Sequence, residues 1–541
     1  MLISAIRQNT NLKNKSRQNF GGKFFAITDT HGRTIKTAGI LTAIEKRCAD
    51  KNLATLLDCG DFSIGAYSIE AITGVYVKFA QLNKHIKTII NMGNCEMLDF
   101  KYNLPKFKQY EKAITDNGIQ FISATKDFLS KKTGVLIEHV KPYAVIEDIV
   151  NNKKKKVLIT GVTSANDDSV ITLQQQKESL KNILPIAIKK HSPDKIILMS
   201  HNYLKDTKEL VDYLKTDLKI KNFDLVIGGH PHSLEDETYN STRLLYAPVQ
   251  GKGALEIEHT DKGFEFPEMK INRADKYDYD IIGQNGENLI KNHIIGENLE
   301  INPIYQQIMN TLDTNNLNKK IATMPTTLAY RKAGKQASET SELGTFWANA
   351  VKNETHSDIA FLISMDIREE LPKKGMPVTL YNVKDALNVS KPIYIINADA
   401  KQIVEMFEIS LKKQNQKNVN SDFFEFSDNL KLERFINKIP DENKVKQLYI
   451  KDKNNYWQAL IDEKTQEIKP EFKNKKFEIA VCEFTAKGMR KSLEKFKEYP
   501  SKLYLKEGQQ LSTGEVLIKA LQEIENKADL KLQRSEIIDF E

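Results

Sequence analysis

Acidic, imidazole and amide side chains follow short apolar runs at five places in the first half of the chain. In the first of these, K-F-F-A-I-T-D-T-H, Asp29 and His31 lie two residues apart just after a run that predicts a buried strand. On an extended chain both side chains leave the same face, so they could hold one metal ion. Four later apolar runs end in the same way, on Asp61, on Asn94, on His201, and on His230 with His232. The repetition, rather than any single triplet, predicts a metal site.

The chemistry of these side chains narrows the choice of ion. Carboxylate, imidazole and amide oxygen together suit Mn, Zn, Fe, Co or Mg, whereas a closed structural zinc site is built mainly from thiolates. The chain has four scattered cysteines, which are Cys48, Cys59, Cys95 and Cys482. They form no C-x-x-C pair, so neither a disulfide framework nor a thiolate zinc site is predicted. Gly60, Gly93 and Gly229 precede predicted ligands, where glycine lets the backbone approach an ion closely.

An α/β domain is needed to position these ligands. Between residues 23 and 258, short apolar runs alternate with segments of helical periodicity, such as 38–49 and 68–83. In open α/β sheets, ligands bind beyond the carboxyl ends of the strands. All seven predicted ligands should therefore gather at one edge.

Length and composition set the broader class. A chain of 541 residues exceeds what one hydrophobic core organises, so two or more domains are expected. The net charge of +8 is interpreted as a lysine-rich surface, so nucleic acid is not expected as a partner. No run approaches the roughly 18 apolar residues of a membrane span, so a membrane is not expected either. The first residues lack the apolar core of a signal peptide, which favours a cytoplasmic location. The sequence leaves the oligomeric state open.

The order of motifs, D-T-H, G-D, G-N-x-E, S-H and G-H-x-H, resembles that of the calcineurin-like metallophosphoesterases. The resemblance implies a four-layer sandwich, in which two mixed sheets are flanked by helices. It also implies two divalent ions, which would activate a bridging water as hydroxide for in-line attack on phosphorus. The implied ligands are Asp29, His31 and His232 for one ion, Asn94, His201 and His230 for the other, and Asp61 for both.

One motif departs from this family. Where the family commonly has G-N-H-E or G-N-H-D, the chain has G-N-C-E, with Cys95 in place of a histidine that helps the leaving oxygen depart. General acid catalysis typically contributes about 10²- to 10⁴-fold, so poor leaving groups should suffer most. Cys95 could donate a proton to the leaving group or pack inertly, and the inert role is favoured. Asn94 and His201 are predicted to be catalytic as well as ligating.

Four segments are predicted along the chain. They are a polar tail at 1–20, the dimetal catalytic domain at 21–273, a linker at 274–319, and a second α/β domain at 320–541. The linker is predicted to contain a helix near 302–317. Lysine-rich residues between 412 and 476 are predicted to be surface elaboration of that second domain.

The second domain resembles, more weakly, the C-terminal domain of the 5'-nucleotidase and UDP-sugar hydrolase family, through E-T-S-E-L-G at 339–344, D-I-R at 366–368 and E-F-T-A-K-G at 483–488. In that family the domain binds the nucleoside and stacks its base between two phenylalanines. Phe484 matches one of these and Arg368 matches a phosphate-side arginine, whereas the other phenylalanine falls on Val389. Lys391 and Arg490 replace an asparagine and an aspartate, which suggests a more anionic substrate. Stacking is worth roughly 1–3 kcal/mol per base, so nucleosides should bind loosely.

The predicted function is metal-dependent hydrolysis of a small phosphate ester by a 5'-nucleotidase-like phosphohydrolase, with a nucleotide among the expected substrates and a role in nucleotide catabolism. Two alternatives stay open. The first is a phosphodiesterase acting on a diester or pyrophosphate, and the second is a non-catalytic homologue that keeps the fold and binds metal.

Overall fold

The computed structural model describes most of both predicted domains. The described residues are 22–48, 54–63, 69–163, 171–249, 251–265, 294–295, 317, 319–330, 340–367, 370–387, 390–411, 423–435, 444–489, 491–525 and 535–540. The predicted tail at 1–20 and nearly all of the predicted linker, with its helix, lie outside them, so the four segment boundaries stay a prediction. None of the helices in the described part is long and apolar enough to cross a bilayer.

Two mixed sheets form the first half. The first sheet runs Gly263–Glu265, Ala254–Thr260, Lys23–Ile27, Ala54–Asp58, Ile86–Asn91 and Gln120–Ile122, with Ile294–Ile295 also paired to Ala254–Thr260. The second runs Tyr143–Val150, Lys153–Thr163, Lys195–His201, Phe223–Gly229, Thr242–Tyr246 and Glu235–Tyr239. Each sheet contains four consecutive parallel strands, from Lys23–Ile27 to Gln120–Ile122 in the first and from Lys153–Thr163 to Thr242–Tyr246 in the second. The antiparallel strands lie outside these runs.

Helices cover the outer face of each sheet. The helices of this half are Thr34–Arg47, Ile69–Leu82, Asn94–Tyr102, Leu104–Asp116, Lys126–Thr133, Leu173–His191 and Leu204–Asp212, which continues as a π-helix at Tyr213–Asp217. The strands read as nearly continuous apolar runs because both of their faces are buried. One core, including Phe24, Leu57 and Ile197, lies between the sheets, while two others lie under the helices. The predicted four-layer sandwich is confirmed.

A five-stranded sheet is the centre of the second half. Its strands, in spatial order, are Phe424–Phe426, Ile359–Ile363, Lys476–Cys482, Ile393–Asp399 and Ser501–Leu503. The helices are Glu342–Thr355, Leu380–Ala386, Ala400–Leu411, Glu483–Ala486 and Thr513–Ile524, with 3-10 turns at Ser364–Asp366, Pro470–Phe472 and Lys491–Glu498. Two adjacent residues of one strand show that both faces of the sheet are buried, since Phe361 packs toward one core and Leu362 toward the other. Short pairs join Lys320–Thr323 to Pro377–Thr379 and Leu505–Lys506 to Gln509–Gln510. The predicted α/β class of this domain is confirmed.

The lysine-rich stretch predicted as surface elaboration contributes to the core instead. It supplies three strands of a four-stranded sheet, ordered Trp457–Ala459, Lys444–Lys451, Leu430–Phe435 and Glu536–Phe540. Leu430, Leu432 and Leu448 are almost fully buried, because they alternate with the polar residues that face solvent. That prediction was wrong for these strands: their alternation is the pattern of a half-buried sheet, and the many lysines obscured it.

Candidate metal centre

The seven predicted ligands all lie at the carboxyl ends of parallel strands. They are Asp29 and His31 after Lys23–Ile27, Asp61 after Ala54–Asp58, Asn94 after Ile86–Asn91, His201 as the last residue of Lys195–His201, and His230 with His232 after Phe223–Gly229. Three of these strands belong to the first sheet and two to the second. The site is therefore shared by both sheets at one edge of the sandwich, as the sequence predicts.

Backbone hydrogen bonds join the first two ligand loops. The amide of Asp29 donates to the Gly60 carbonyl at 2.9 Å, and that of His31 donates to the Asp61 carbonyl at 2.9 Å. The loop that carries Asn94 also approaches Asp61 closely, and this approach depends on glycine, because a Cβ on Gly93 would lie 2.1 Å from Oδ1 of Asp61. The backbone itself thus holds the loops in register.

Left-handed backbone is concentrated at this edge. The affected ligand positions and their φ values are Asp29 at 48°, His31 at 48°, Asp61 at 60°, His230 at 89° and His232 at 55°. Such conformations cost of order 1–3 kcal/mol each for residues other than glycine and persist where the surroundings impose them. Strain shared by five ligand positions indicates a functional site rather than ordinary turns.

The first cluster comprises Asp29, His31 and His232, whose ligand atoms lie within 4.8 Å of one another. Oδ2 of Asp29 accepts hydrogen bonds from the Thr28 hydroxyl at 2.7 Å and the His230 amide at 2.9 Å. Oδ1 of Asp29 is fully buried and makes no hydrogen bond, although Nε2 of His232 lies 3.2 Å away. A buried carboxylate oxygen without a hydrogen bond, facing histidine nitrogens, fits a metal ligand.

The second cluster comprises Asp61, His201 and His230. Nε2 of His201 lies 3.3 Å from Oδ2 of Asp61 and 3.8 Å from Oδ1 of Asp29, so His201 adjoins both clusters. Oδ1 of Asn94 lies 2.8 Å from Nδ1 of His230 and 3.2 Å from Nε2 of His201. The other nitrogen of His201 lies 3.1 Å from the Cys59 carbonyl, a contact that orients the ring with Nε2 toward the site.

The electrostatics of the site favour a cation. Burial raises the pKa of Asp29, but the neighbouring histidines outweigh it and hold the pKa well below 3.8. Burial lowers the pKa of His201, but Asp61 and Asp29 outweigh it and hold that pKa well above 6.5. Burial, followed by the charge of His201, lowers the pKa of His230 to about 4. Divalent ions require ionised carboxylates and neutral imidazoles, so an ion bound here would replace the proton of His201, and the negative field that holds this proton would also stabilise the ion.

Residues 22–234 match the family model of the calcineurin-like phosphoesterases, and residues 320–498 match that of the 5'-nucleotidase C-terminal domain. The chain belongs to the calcineurin-like metallophosphoesterases of the 5'-nucleotidase type. Members of this family are metal-dependent phosphoester hydrolases, and the carboxylate and imidazole clusters are consistent with that chemistry. No curated protein sequence matches the chain.

Solved structures share the fold of both halves. A 5'-nucleotidase precursor from Thermus thermophilus is 15% identical with a TM-score of 0.65, over 96% of this chain and 99% of that one. The sulfate thiohydrolase SoxB of the same organism is 12% identical with a TM-score of 0.61, over 96% of each chain. A 5'-nucleotidase from Candida albicans is 13% identical with a TM-score of 0.57, over 93% of this chain and 98% of that one. At these identities the likeness shows the fold alone.

Glu96 supports this metallophosphoesterase site in a way that sequence reasoning missed. Its carboxylate is fully buried and accepts three backbone amides, from Asp61 at 2.8 Å, Ser63 at 2.8 Å and Gly93 at 2.7 Å. These bonds fasten the Asp61 loop to the start of the helix that carries Asn94. The motif G-N-x-E was the available signal, but it gave no indication of which groups the acid would contact.

The open side of the metallophosphoesterase site is marked by exposure. The side chains of Asp29 and His201 are fully buried, whereas that of His232 is 34% exposed and Tyr203 is 47% exposed. The ring of Tyr203 meets the ring of His230 edge-on, with centroids 4.7 Å apart. Tyr203 was not among the predicted residues, since a tyrosine after S-H-N has no spacing that reveals its direction. It places an aromatic surface at the mouth of the site.

The predicted substrate-binding residues of the second domain are placed only in part. Arg368 and Arg490 lie outside the described residues. Lys391 is 3% exposed and its ammonium donates to Oδ1 of Asp366 at 2.6 Å. The same ammonium lies 3.7 Å from the ring centroid of Phe484, which is half-buried. The charge of Lys391 is thus paired within the domain, and its predicted role in binding an anionic substrate stays a prediction.

Proposed function

We propose that this metallophosphoesterase hydrolyses phosphate esters of small molecules, nucleotides included, at a site for two divalent ions. The observation that carries the proposal is the adjacency of the two clusters through His201, which lies 3.3 Å from Asp61 and 3.8 Å from Asp29. Asp29, His31 and His232 would hold one ion. The other would be held by Asn94, His201 and His230, with Asp61 shared by both.

Two ions at such a site supply a reactive water at neutral pH and neutralise charge on the phosphoryl oxygens. The protein's own contribution is to fix the ligands before substrate arrives. Asp61 is held by the Cys95 amide, which donates to its Oδ1 at 2.8 Å, and His201 is held by the Cys59 carbonyl. Preorganised charge of this kind costs no rearrangement during the reaction.

The leaving group receives little help from the described residues. The family's histidine is replaced by Cys95, which is 5% exposed, and Asp99 is engaged by Lys106 at 2.9 Å. Esters whose leaving group is a weak base need the least general acid catalysis. We therefore expect hydrolysis to fall steeply as the leaving group becomes more basic.

The test combines elemental analysis with phosphate release from a panel of esters. The panel contains AMP, sugar phosphates, pyrophosphate, p-nitrophenyl phosphate and bis(p-nitrophenyl) phosphate, each with Mn, Zn, Co or Mg supplied. We expect two ions per chain and hydrolysis of monoesters. Asp61→Asn should lower kcat/KM about 10³-fold or more, since a metal stabilises the transition state by several kcal/mol. His139→Asn is the matched control, because His139 is exposed and lies outside both clusters.

The outcomes separate the alternatives. Preference for the diester over the monoester would favour a phosphodiesterase. Two bound ions with no ester hydrolysed would favour a non-catalytic homologue, and full activity in Asp61→Asn would contradict the shared-ligand role. Faster hydrolysis of AMP than of sugar phosphates or pyrophosphate would assign the enzyme to nucleotide catabolism, for which we also propose a cytoplasmic setting.

A further inference from the structure

Cys95 differs from the other cysteines in what surrounds its sulfur. Three possible ligand atoms, one each from His31, Asp61 and Cys95, lie within 4.8 Å of one another. All three residues are buried. Ligands about 2.0–2.3 Å from a shared ion lie roughly 3–4.5 Å apart, so these three atoms could bind one ion after side-chain movements of a few tenths of an ångström. By contrast, the thiol of Cys59 donates to the Ile227 carbonyl at 3.2 Å and is directed into the core.

The fold also holds Cys95 beside the predicted ligands. Gly93 caps the helix Asn94–Tyr102, so Cys95 lies in its first turn, directly after Asn94. The side-chain amide of Asn94 points at the sulfur, with Nδ2 3.7 Å from Sγ. The backbone of Cys95 is fixed by its amide, which donates to Asp61 at 2.8 Å. A donor and two neighbouring ligands thus converge on one sulfur.

We infer that Cys95 is a thiolate ligand of the ion held by Asp29, His31 and His232. The inference rests on the proposed metal site and adds a role to the two considered from sequence, a proton donor or an inert packing residue. On binding, the S–H bond breaks, a sulfur–metal bond forms, and the proton passes to solvent without any change of oxidation state. A thiolate ligand biases the site toward Zn, Co or Fe(II) and against Mg and Mn.

The test is the absorption spectrum of the full-length protein loaded with Co(II), because a thiolate bound to cobalt gives a charge-transfer band in the near ultraviolet. We expect the band in the wild type and in Cys48→Ser, whose thiol is buried in the helix-side core. We expect no band in Cys95→Asp, which keeps an anionic ligand and should still bind cobalt. A variant with serine at positions 48, 59 and 482 retains only Cys95 and should keep the band.

Elemental analysis of the same samples distinguishes failure of the proposed metal site from failure of the proposed role of Cys95. Absence of bound cobalt in the wild type would contradict the proposed metal site itself. Bound cobalt without the band, or a band that survives in Cys95→Asp, would overturn the role of Cys95 alone. If Cys95→Asp does not fold, the triple serine variant decides, since a missing band there excludes Cys95. In competition experiments, Cys95→Asp should shift the Zn-to-Mg affinity ratio toward Mg by at least about tenfold.

Discussion

The two halves of the chain bury charged groups in different ways. At the strand ends of the first half, Oδ1 of Asp29 is buried without a hydrogen bond, and five predicted ligands have left-handed backbone. In the second half, Asp366 is just as buried, but the Lys391 ammonium binds it at 2.6 Å. A buried charge is costly unless it is paired or coordinates a metal.

This difference separates a site from a structural pair. The carboxylate of Asp29 is surrounded by histidines, which can exchange a proton for a metal ion, whereas that of Asp366 is paired with a lysine of its own domain. The same residue types therefore indicate a ligand in one half and internal stability in the other. Each of the following experiments tests one side of this contrast.

The largest effect is expected from removing one member of the internal pair. Lys391→Met leaves the buried carboxylate of Asp366 without its counter-ion, which should destabilise the second half by about 3–5 kcal/mol. The double variant with Asp366→Asn should recover most of this loss. Urea unfolding followed by tryptophan fluorescence reports on this half, because Trp347 is fully buried there.

The matched control for that experiment is Lys476→Met. Lys476 pairs with Asp399 at 3.1 Å, but its side chain is 59% exposed. The decrease in the free energy of unfolding should therefore stay below about 1 kcal/mol. Equal losses in the two variants would mean that burial of the Lys391 pair has no special weight. Metal content should be unchanged in both.

A smaller effect is expected at Glu96, which supports the metal centre without being a predicted ligand. Glu96→Gln replaces one accepting oxygen by an NH₂ group, so at least one of its three backbone amides loses its partner. We expect metal affinity to fall about 10- to 100-fold, as measured by zinc titration against a chromophoric chelator. Glu111→Gln is the control, since Glu111 also accepts a backbone amide, from His139 at 3.1 Å, and belongs to neither cluster. Unchanged zinc affinity in Glu96→Gln would refute the positioning role.

A third effect concerns the pH dependence of stability. Asp58 is fully buried beneath the site, bonded to the Tyr76 hydroxyl, and burial raises the pKa of its carboxyl to about 7. Between about pH 4 and 7 the folded chain holds a proton that the unfolded chain has lost, so stability decreases as pH rises. Relative to that of Asp58→Asn, the free energy of unfolding of the wild type should decrease by up to about 1.4 kcal/mol per pH unit over this window.

Urea unfolding of the metal-free protein, followed by circular dichroism at several pH values, measures that difference. Asp127→Asn is the control, because Asp127 is exposed on the helix Lys126–Thr133. A wild type and an Asp58→Asn variant with parallel pH profiles would show that Asp58 is not protonated in the folded chain.

The contrast between the halves also explains what the sequence could predict. Parallel strands joined by helices bring their carboxyl ends to one edge whatever the details of packing, so the convergence of the predicted ligands on one edge followed from their order. The pairing of Lys391 with Asp366 depends on how two distant segments pack, and no local spacing encodes it. The three amide contacts of Glu96 likewise arise from loops that meet only in the folded chain.

The smallest effect is expected at Tyr203, the exposed aromatic residue beside His230. Tyr203 is 47% exposed beside His230, so a leaving group above the site would meet its ring. Aromatic contacts are worth about 0.5–1.5 kcal/mol, so Tyr203→Ala should raise KM for p-nitrophenyl phosphate about 2- to 10-fold with kcat little changed. Tyr203→Phe should keep the wild-type KM, and glycerol phosphate should be insensitive to both changes.

Equal changes in KM for the aromatic and aliphatic esters would show that Tyr203 does not contact the leaving group. The result also bears on the second half, where the ring of Phe484 already has the Lys391 ammonium 3.7 Å from its centroid. A ring with an ammonium over one face has only its other face left for a substrate. Selectivity for aromatic esters that depends on Tyr203 but survives Phe484→Leu would therefore place aromatic recognition at the metal centre.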